Sequence, residues 1–326
     1  MNLAWPDREP RPLPGTLRVT PPVAPAKGIP SEIQLRSGSQ RAAIRCAGAT
    51  LRSYRSHGRE LLDGFGRSEW SQDGRGQLLL PWPNRIRGGR YRLGGHHHQL
   101  AISEVARNNA IHGLVRWVTW QVEEAEPERA RLSVELAPQP GYPFWVSFEA
   151  EYCLTGEGLA VTVAARNLGS KPAPFGAGAH PYVRLAGHGV DDLVLRIPAG
   201  RRLTADGQGI PTGEVEVAGT EYDFRERRRI GPLRLDTCYS DLPSDGWEVE
   251  LGVGPGLDRA RVWADRNFPY VMVYSGDGVS SPGRRRAGLA VEPMTCAPDA
   301  FNSGRGLLVL GPGETFRGRW GMSHGG

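Results

Sequence analysis

The sequence predicts an all-β protein, a large antiparallel β-sandwich with few or no helices. Three observations carry this. Apolar residues alternate with polar ones at period two, as in Phe144, Val146, Phe148, Ala150, Tyr152 and Leu154, then Leu159, Val161, Val163 and Ala165. That spacing gives each segment one buried face when it is extended. The 326 residues include 44 glycines and 27 prolines, punctuation dense enough to stop long helices. No apolar stripe of period 3.6 runs beyond two helical turns.

The elements follow in chain order. Residues 1–30 hold eight prolines and no apolar periodicity, and are read as an extended or disordered tail. Residues 31–326 are read as one sandwich domain, since such folds use 250 residues or more as a single unit. Tyr91-Arg92-Leu93 runs into Gly94-Gly95, a turn pair, so His96-His97-His98 fall on the returning arm of a hairpin. Adjacent strand residues face opposite sides, so these three cannot easily share one metal ion. Leu132, Val134 and Leu136 alternate next. The 144–154 and 159–165 runs flank Thr155-Gly156-Glu157-Gly158 and read as a hairpin. Val249 and Leu251, then Val262 and Ala264, repeat the pattern across a Gly/Pro-rich connection.

Composition excludes several classes. No apolar run reaches the 18 residues of a membrane span. The N-terminus lacks a basic start followed by an apolar core, so no secretory signal is read. Four well-separated cysteines form no CxxC pair, which argues against a zinc or redox site and fits a reducing cytoplasm. Net charge is +5, and lysine occurs only at Lys27 and Lys171. The arginines are interspersed with acids rather than gathered on one tail, so nucleic acid is not an expected partner. The runs Arg225–Arg229 and Arg284–Arg286 are read as solvated loops. There is no GxxxxGK, GxSxG or HExxH.

The polar residues of interest sit beside prolines and glycines. Trp82, Asn84 and Arg85 lie in Pro81-Trp82-Pro83-Asn84-Arg85-Ile86, a stiff loop. His112 precedes Gly113. His180 precedes Pro181 and is biased towards extended backbone. Glu292 ends an apolar run, and Pro293 is expected to stop that strand and leave Glu292 at a sheet rim.

Together these blocks resemble the aldose 1-epimerase (galactose mutarotase) family. The resemblance covers roughly Ser31 to the C-terminus. It rests on PWPNRI at 81–86, NAIHGLVRW at 109–117, GAHPY at 178–182, DTCYSDL at 236–242, VEPMTCAPDAFNSG at 291–304 and LGPGE at 310–314. It implies a large antiparallel β-sandwich and an isomerase that interconverts the α and β anomers of a free aldose, with no cofactor and no metal. It implies Glu292 as base and His180 as acid, with Asn84, Arg85, His112 and Asp236 binding the sugar. Trp82, Trp117, Tyr182 and Phe301 are candidates either to pack on the ring or to join the core, and Asp299 and Asn302, within reach of the site, are read first as loop structure.

The chemistry needs one base and one acid about C1. A carboxylate is ionised at neutral pH, while imidazole, with a reference pKa of about 6.5, can carry the acid proton. If the two flank C1 and its oxygens, they should stand roughly 5–8 Å apart across an open polar cleft. Two alternatives remain. The sugar could be phosphorylated or sulfonated, with Arg284–Arg286 as the anion site. A non-catalytic sugar-binding protein would share the fold but should have lost Glu292 or His180. The expected ligand is a hexose-type aldose, and the expected assembly a monomer or homodimer.

Overall fold

A computed structural model of the chain describes residues 31–185, 187–254 and 259–325. The Pro-rich segment 1–30 lies outside the described residues.

Alternation in the sequence becomes ladders. Val146–Leu154 and Leu159–Asn167 pair antiparallel over their full length, from Leu154 opposite Leu159 to Val146 opposite Asn167. Thr155 N–H closes the turn on Gly158 O at 2.9 Å. Gly246–Gly252 and Arg259–Asp265 pair in the same way, with Val249 opposite Val262. These strands belong to a nine-stranded sheet. Its order is Gln121–Ala125, Arg129–Leu136, Val146–Leu154, Leu159–Asn167, Thr315–Gly325, Arg259–Asp265, Gly246–Gly252, Val194–Arg196 and Arg228–Arg229. A four-stranded sheet covers 32–60. The hairpin Arg90–Leu93/His96–Gln99 forms as expected, and His98 stacks on Tyr91 at 4.7 Å. Helix is confined, among the described residues, to one α-turn at Ala300–Ser303 and three 3-10 turns.

The second large sheet positions the site. Its order is Pro211–Glu216, Arg201–Ala205, Asp236–Ser240, Tyr270–Tyr274, Leu289–Met294, Gly178–Ala179 and Leu78–Leu79, with Tyr182–Val183 also pairing on Leu289–Met294. One hydrophobic core joins the two large sheets. Val161, Val163, Val249, Val262 and Trp320 of the first cluster with Ala179, Val271, Val273, Leu289 and Val291 of the second. Burying each such aliphatic side chain contributes about 1.5–3 kcal/mol.

Period two then dictates what the other face of the second sheet carries. With Val271, Val273 and Val291 turned into the core, Met272, Tyr274 and Glu292 point away from it. The register stacks them in rows. Cys238 is opposite Met272, and Met272 is opposite Glu292. The neighbouring row runs Asp236, Tyr274, Ala290, Tyr182.

The expected strand end at Pro293 is corrected here. Leu289–Met294 continues through Pro293, which pairs with Val271, and Glu292 is buried inside the sheet. Val291 N–H donates to Pro181 O and Thr295 N–H to Ala177 O, so odd-numbered residues of this strand donate towards the 178–183 side. By the same register Pro293 would donate to Ala179 O, at the end of Gly178–Ala179. Its missing donor therefore falls where the neighbouring ladder is already interrupted.

Candidate active site

A cleft of about 670 Å³ opens over that outward face. It is lined by Glu292, His180, His112, Asn84, Arg85, Asp236 and Tyr182. The six residues to which the resemblance gives roles thus meet there, with Tyr182 and Trp117 of the four candidate aromatics, from segments spread over more than 200 positions.

His180 and Glu292 face each other across the sheet. The register that sets Gly178 opposite Met294 and Tyr182 opposite Ala290 places His180 opposite Glu292. Their side chains meet, Nε2 to Oε1 at 3.3 Å, both buried. The expected 5–8 Å gap is absent, because side chains directly opposite on antiparallel strands start from Cβ atoms only ~5 Å apart. A ligand must therefore approach both groups from the same side. Glu292 Oε2 and His180 Nδ1 are buried without a hydrogen-bond partner among the described residues.

The loops around the pair fix His180 from three directions. His180 N–H donates to Gln77 O, and Gly76 N–H donates to His180 O. Gly74, at φ +78°, lies so close that an added Cβ would stand 2.7 Å from His180 Cδ2. The Tyr182 ring stacks on His180 at 4.9 Å and 17°. Buried Arg75 lies over that tyrosine at 4.4 Å, held by Asp63 and Asp73 at 3.1 Å each.

Burial governs the charges. It pushes His180 down to about 3, helped by the Arg116 charge. It raises Glu292 well above the usual carboxylate range, with Asp236 adding to the rise and Arg85 opposing it. Both shifts favour the neutral forms of the two groups over a fixed ion pair.

His112 is set by a reciprocal backbone clasp. His112 N–H donates to Asn84 O at 2.9 Å, and Asn84 N–H donates to His112 Nδ1 at 3.2 Å. Nδ1 is thereby the acceptor, which leaves Nε2 protonated and donating. Burial, with His180 and two arginines, holds His112 neutral, well below its usual pKa. Asn84 and His112 are both left-handed, at φ 54° and 64°, a conformation that costs ~1–2 kcal/mol per residue. Asp73, also at the cleft, shares it at φ 53°. His112, His180 and Glu292 offer donor atoms within 4.8 Å of one another. A metal on His112 would have to displace the Nε2 proton that the Asn84 N–H fixes there.

Arg85 is anchored by a residue the sequence did not single out. Glu104 accepts from Arg85 Nε at 2.9 Å and Nη2 at 3.0 Å. Asp236 lies 3.8 Å from Arg85 and 3.0 Å from Arg107. Glu104 also holds Asn109 Nδ2 at 2.9 Å. No spacing in the sequence signals this partnership. Arg116, inside the NAIHGLVRW block but given no role, lines the cleft as well.

Some expectations are corrected. Trp82 is buried beneath the site against Phe301, ring centroids 5.7 Å apart, and does not line the cleft. The two prolines beside it turn the loop so that Asn84 and Arg85, not the indole, face the ligand space. Trp117 supplies an aromatic wall instead. Asp299 caps Arg87 N–H and holds Asn302, and neither lines the cleft. Arg284 pairs with Asp63 and Glu69, and Arg286 with Asp191 and Asp277. That run is outside the cleft, and its charges at 284 and 286 are already answered by carboxylates.

An antiparallel β fold thus carries a carboxylate–imidazole pair on the floor of a polar cleft, and comparison with known proteins gives its class. The chain belongs to the aldose 1-epimerase family, whose profile matches residues 31–323. It is 34% identical over 286 residues to the uncharacterized protein YihR of Escherichia coli, covering 87% of this chain and 90% of that one. It is 27% identical to the maltose epimerase of Levilactobacillus brevis, covering 69% and 72%. A GalM/aldose epimerase homologue from C. elegans has the same fold, with a TM-score of 0.81 at 19% identity, covering 90% of this chain and 99% of that one.

Proposed function

We propose that the protein is an aldose 1-epimerase that opens and recloses the ring of a free aldose by general acid–base catalysis. The observation that carries this is the His180–Glu292 contact at 3.3 Å on the floor of the cleft. One proton serves the pair. On Glu292 it leaves both groups neutral, the form that burial favours. Shifted to His180, it makes a carboxylate base and an imidazolium acid at once.

In that form Glu292 takes the proton from the anomeric O1 hydroxyl. The O1–H electrons form the C1=O1 bond, the C1–O5 bond breaks, and O5 takes the proton from His180. The aldehyde rotates about C1–C2. Closure reverses every transfer: O5 attacks the other face of C1, its proton returns to His180, and Glu292 gives its proton to O1. The pair ends as it began, so no cofactor is consumed. His112 Nε2–H is a neutral donor to a sugar oxygen. The Arg85 fork, aligned by Glu104, and Asp236 suit neighbouring hydroxyls as donor and acceptor.

Polarimetry of freshly dissolved α-anomers tests the reading. Equilibration of at least one free aldose should accelerate with protein and not with the Glu292→Gln variant. No acceleration across neutral, phosphorylated and sulfonated aldoses would remove it.

A second reading, an aldose bearing a phosphate or sulfonate, is favoured by Arg116. It lines the cleft, and burial lowers its pKa to about 10. Its partners are uncharged, Gln77 Oε1 and Ile111 O at 3.3 Å each, and its Nε has none among the described residues. A half-buried cation of this kind is stabilised by an anion. Arg116→Met should raise KM for an anionic aldose and leave that for its neutral counterpart nearly unchanged.

A further inference from the structure

We infer that Arg75 is a positioning residue for proton transfer at His180: a buried guanidinium that fixes the Tyr182 ring on which the imidazole stacks and sets a permanent positive charge beside it. The inference rests on the epimerase reading for the step it serves, and gives that step a residue outside the reacting pair.

The observation is a buried cation that the acid–base steps leave without a part. Of the described arginines only Arg75 and Arg85 are buried, Arg75 at 2% exposure. Arg75 does not line the cleft, so it touches neither the sugar nor the reacting atoms. Burying a guanidinium is costly unless it is paired. Here Asp63 and Asp73 each stand 3.1 Å from it. The same two aspartates hold Tyr182 at both ends. Asp63 N–H donates to Tyr182 O at 2.8 Å, and Tyr182 Oη donates to Asp73 O at 3.1 Å. Arg75, Asp63, Tyr182 and Asp73 thus close a frame. It is tied outwards as well: Asp73 accepts from Ser280 N–H and Oγ at 3.1 and 2.6 Å, and Asp63 pairs with Arg284 at 3.6 Å and Arg184 at 4.0 Å.

The frame ends at the acid. Arg75 Cζ stands 4.4 Å from the centre of the Tyr182 ring, and that ring stacks on His180 at 4.9 Å and 17°. A desolvated cation holds an aromatic face more firmly than an exposed one does. The backbone repeats the link, since Ser71 Oγ donates to Arg75 O at 2.8 Å and Gly76 N–H to His180 O at 2.9 Å. Fixing the plane of the imidazole keeps its proton aimed, and small misplacements of reacting groups are costly.

The charge bears on the step because His180 alternates between imidazole and imidazolium. Around it stand Glu292 at 3.3 Å, His112 at a ring separation of 5.3 Å, Tyr182, and the cations Arg116, Arg75 and Arg85. Burial is the main cause of its low pKa and Arg116 the next, with Arg75 adding to them. An imidazolium formed in that company gives its proton up readily.

The test measures kcat, KM and the pH dependence of kcat by polarimetry for wild type, Arg75→Met and Arg75→Lys, on an aldose that wild type equilibrates. Arg75→Met should lower kcat about ten-fold or more with KM within about two-fold. Its pH profile should move upwards by about half a unit or more, because each protonation of the pair becomes easier without the neighbouring cation. Arg75→Lys keeps the charge and loses the planar fork, so its profile should stay in place and part of kcat should return. A kcat within about two-fold of wild type in Arg75→Met overturns the inference. A lower kcat with an unmoved profile overturns it too, and leaves Arg75 a tie between loops. Nitrogen NMR of the imidazoles reads the same coupling without turnover. His180 in Arg75→Met should take up its proton at higher pH than in wild type, and equal titration overturns the inference. That reading stands even if no sugar is accelerated, a result that would remove the epimerase reading separately. If Arg75→Met does not fold, Arg75→Lys decides. A lower kcat at unchanged KM, or a displaced His180 ring signal where no sugar turns over, supports the inference; wild-type behaviour overturns it.

Discussion

His180, in the two-residue break between Gly178–Ala179 and Tyr182–Val183, stands opposite Glu292 of the neighbouring antiparallel strand, with Nε2 and Oε1 3.3 Å apart. The two groups proposed to exchange protons with the sugar are thus set face to face by the register on either side of that break. On the His180 side the backbone is held by its N–H to Gln77 O and by Gly76 N–H to its own carbonyl.

Glu292→Gln keeps the shape of the pair and removes its base. Turnover should fall about 10²–10⁴-fold, the range of a lost general acid–base group, while calorimetry still detects sugar binding. His180→Asn should behave alike, because ring opening needs both transfers. Near-normal turnover in Glu292→Gln would move the base to another carboxylate, with Asp236 the next to test.

Glu104→Gln addresses the anchor of Arg85. Glu104 accepts from two guanidinium nitrogens, and a neutral amide can accept through only one oxygen. KM should rise about ten-fold, the size of one charge-assisted hydrogen bond, with kcat changed far less. A fall in kcat at unchanged KM would mean that Arg85 is not a ground-state sugar ligand.

Gly74→Ala presses on His180 from below. The new Cβ would lie 2.7 Å from Cδ2 on a backbone with φ +78°, so the ring or the loop must shift. Activity should drop at least ten-fold at temperatures well below unfolding, since small misplacements of reacting groups are costly. Full activity would show that the 73–77 loop yields without moving the imidazole.

Stability should depend on pH in opposite senses for the two partners. His180 is depressed from 6.5 to about 3, so its contribution is complete above 6.5 and is lost as pH falls towards 3. Glu292 is raised well above 4.5, so its contribution is complete below 4.5 and is lost as pH rises through the folded value. Melting temperatures against pH should therefore show less acid loss in His180→Asn, with His112 leaving a residual slope. Glu292→Gln should be less sensitive than wild type on the alkaline side. Parallel profiles for all three proteins would contradict the neutral pair.

The division between sequence and tertiary structure follows from how far each signal reaches. Strands were legible wherever apolar residues alternate, because facing is a local property of extended backbone, and the 144–167 hairpin forms in the register that its alternation implies. The five blocks around Asn84, His112, His180, Asp236 and Glu292 each contribute a side chain that lines the cleft. Local reasoning misled at Pro293, because whether a proline ends a strand depends on where the neighbouring ladder is broken. It misplaced Trp82, because two prolines turned that loop in a direction the sequence does not specify. The His180–Glu292 distance, the Glu104 anchor and the Trp117 wall of the cleft could come only from the folded chain. Each joins side chains from segments that sheet register and loop packing bring together, and no spacing along the chain encodes those contacts.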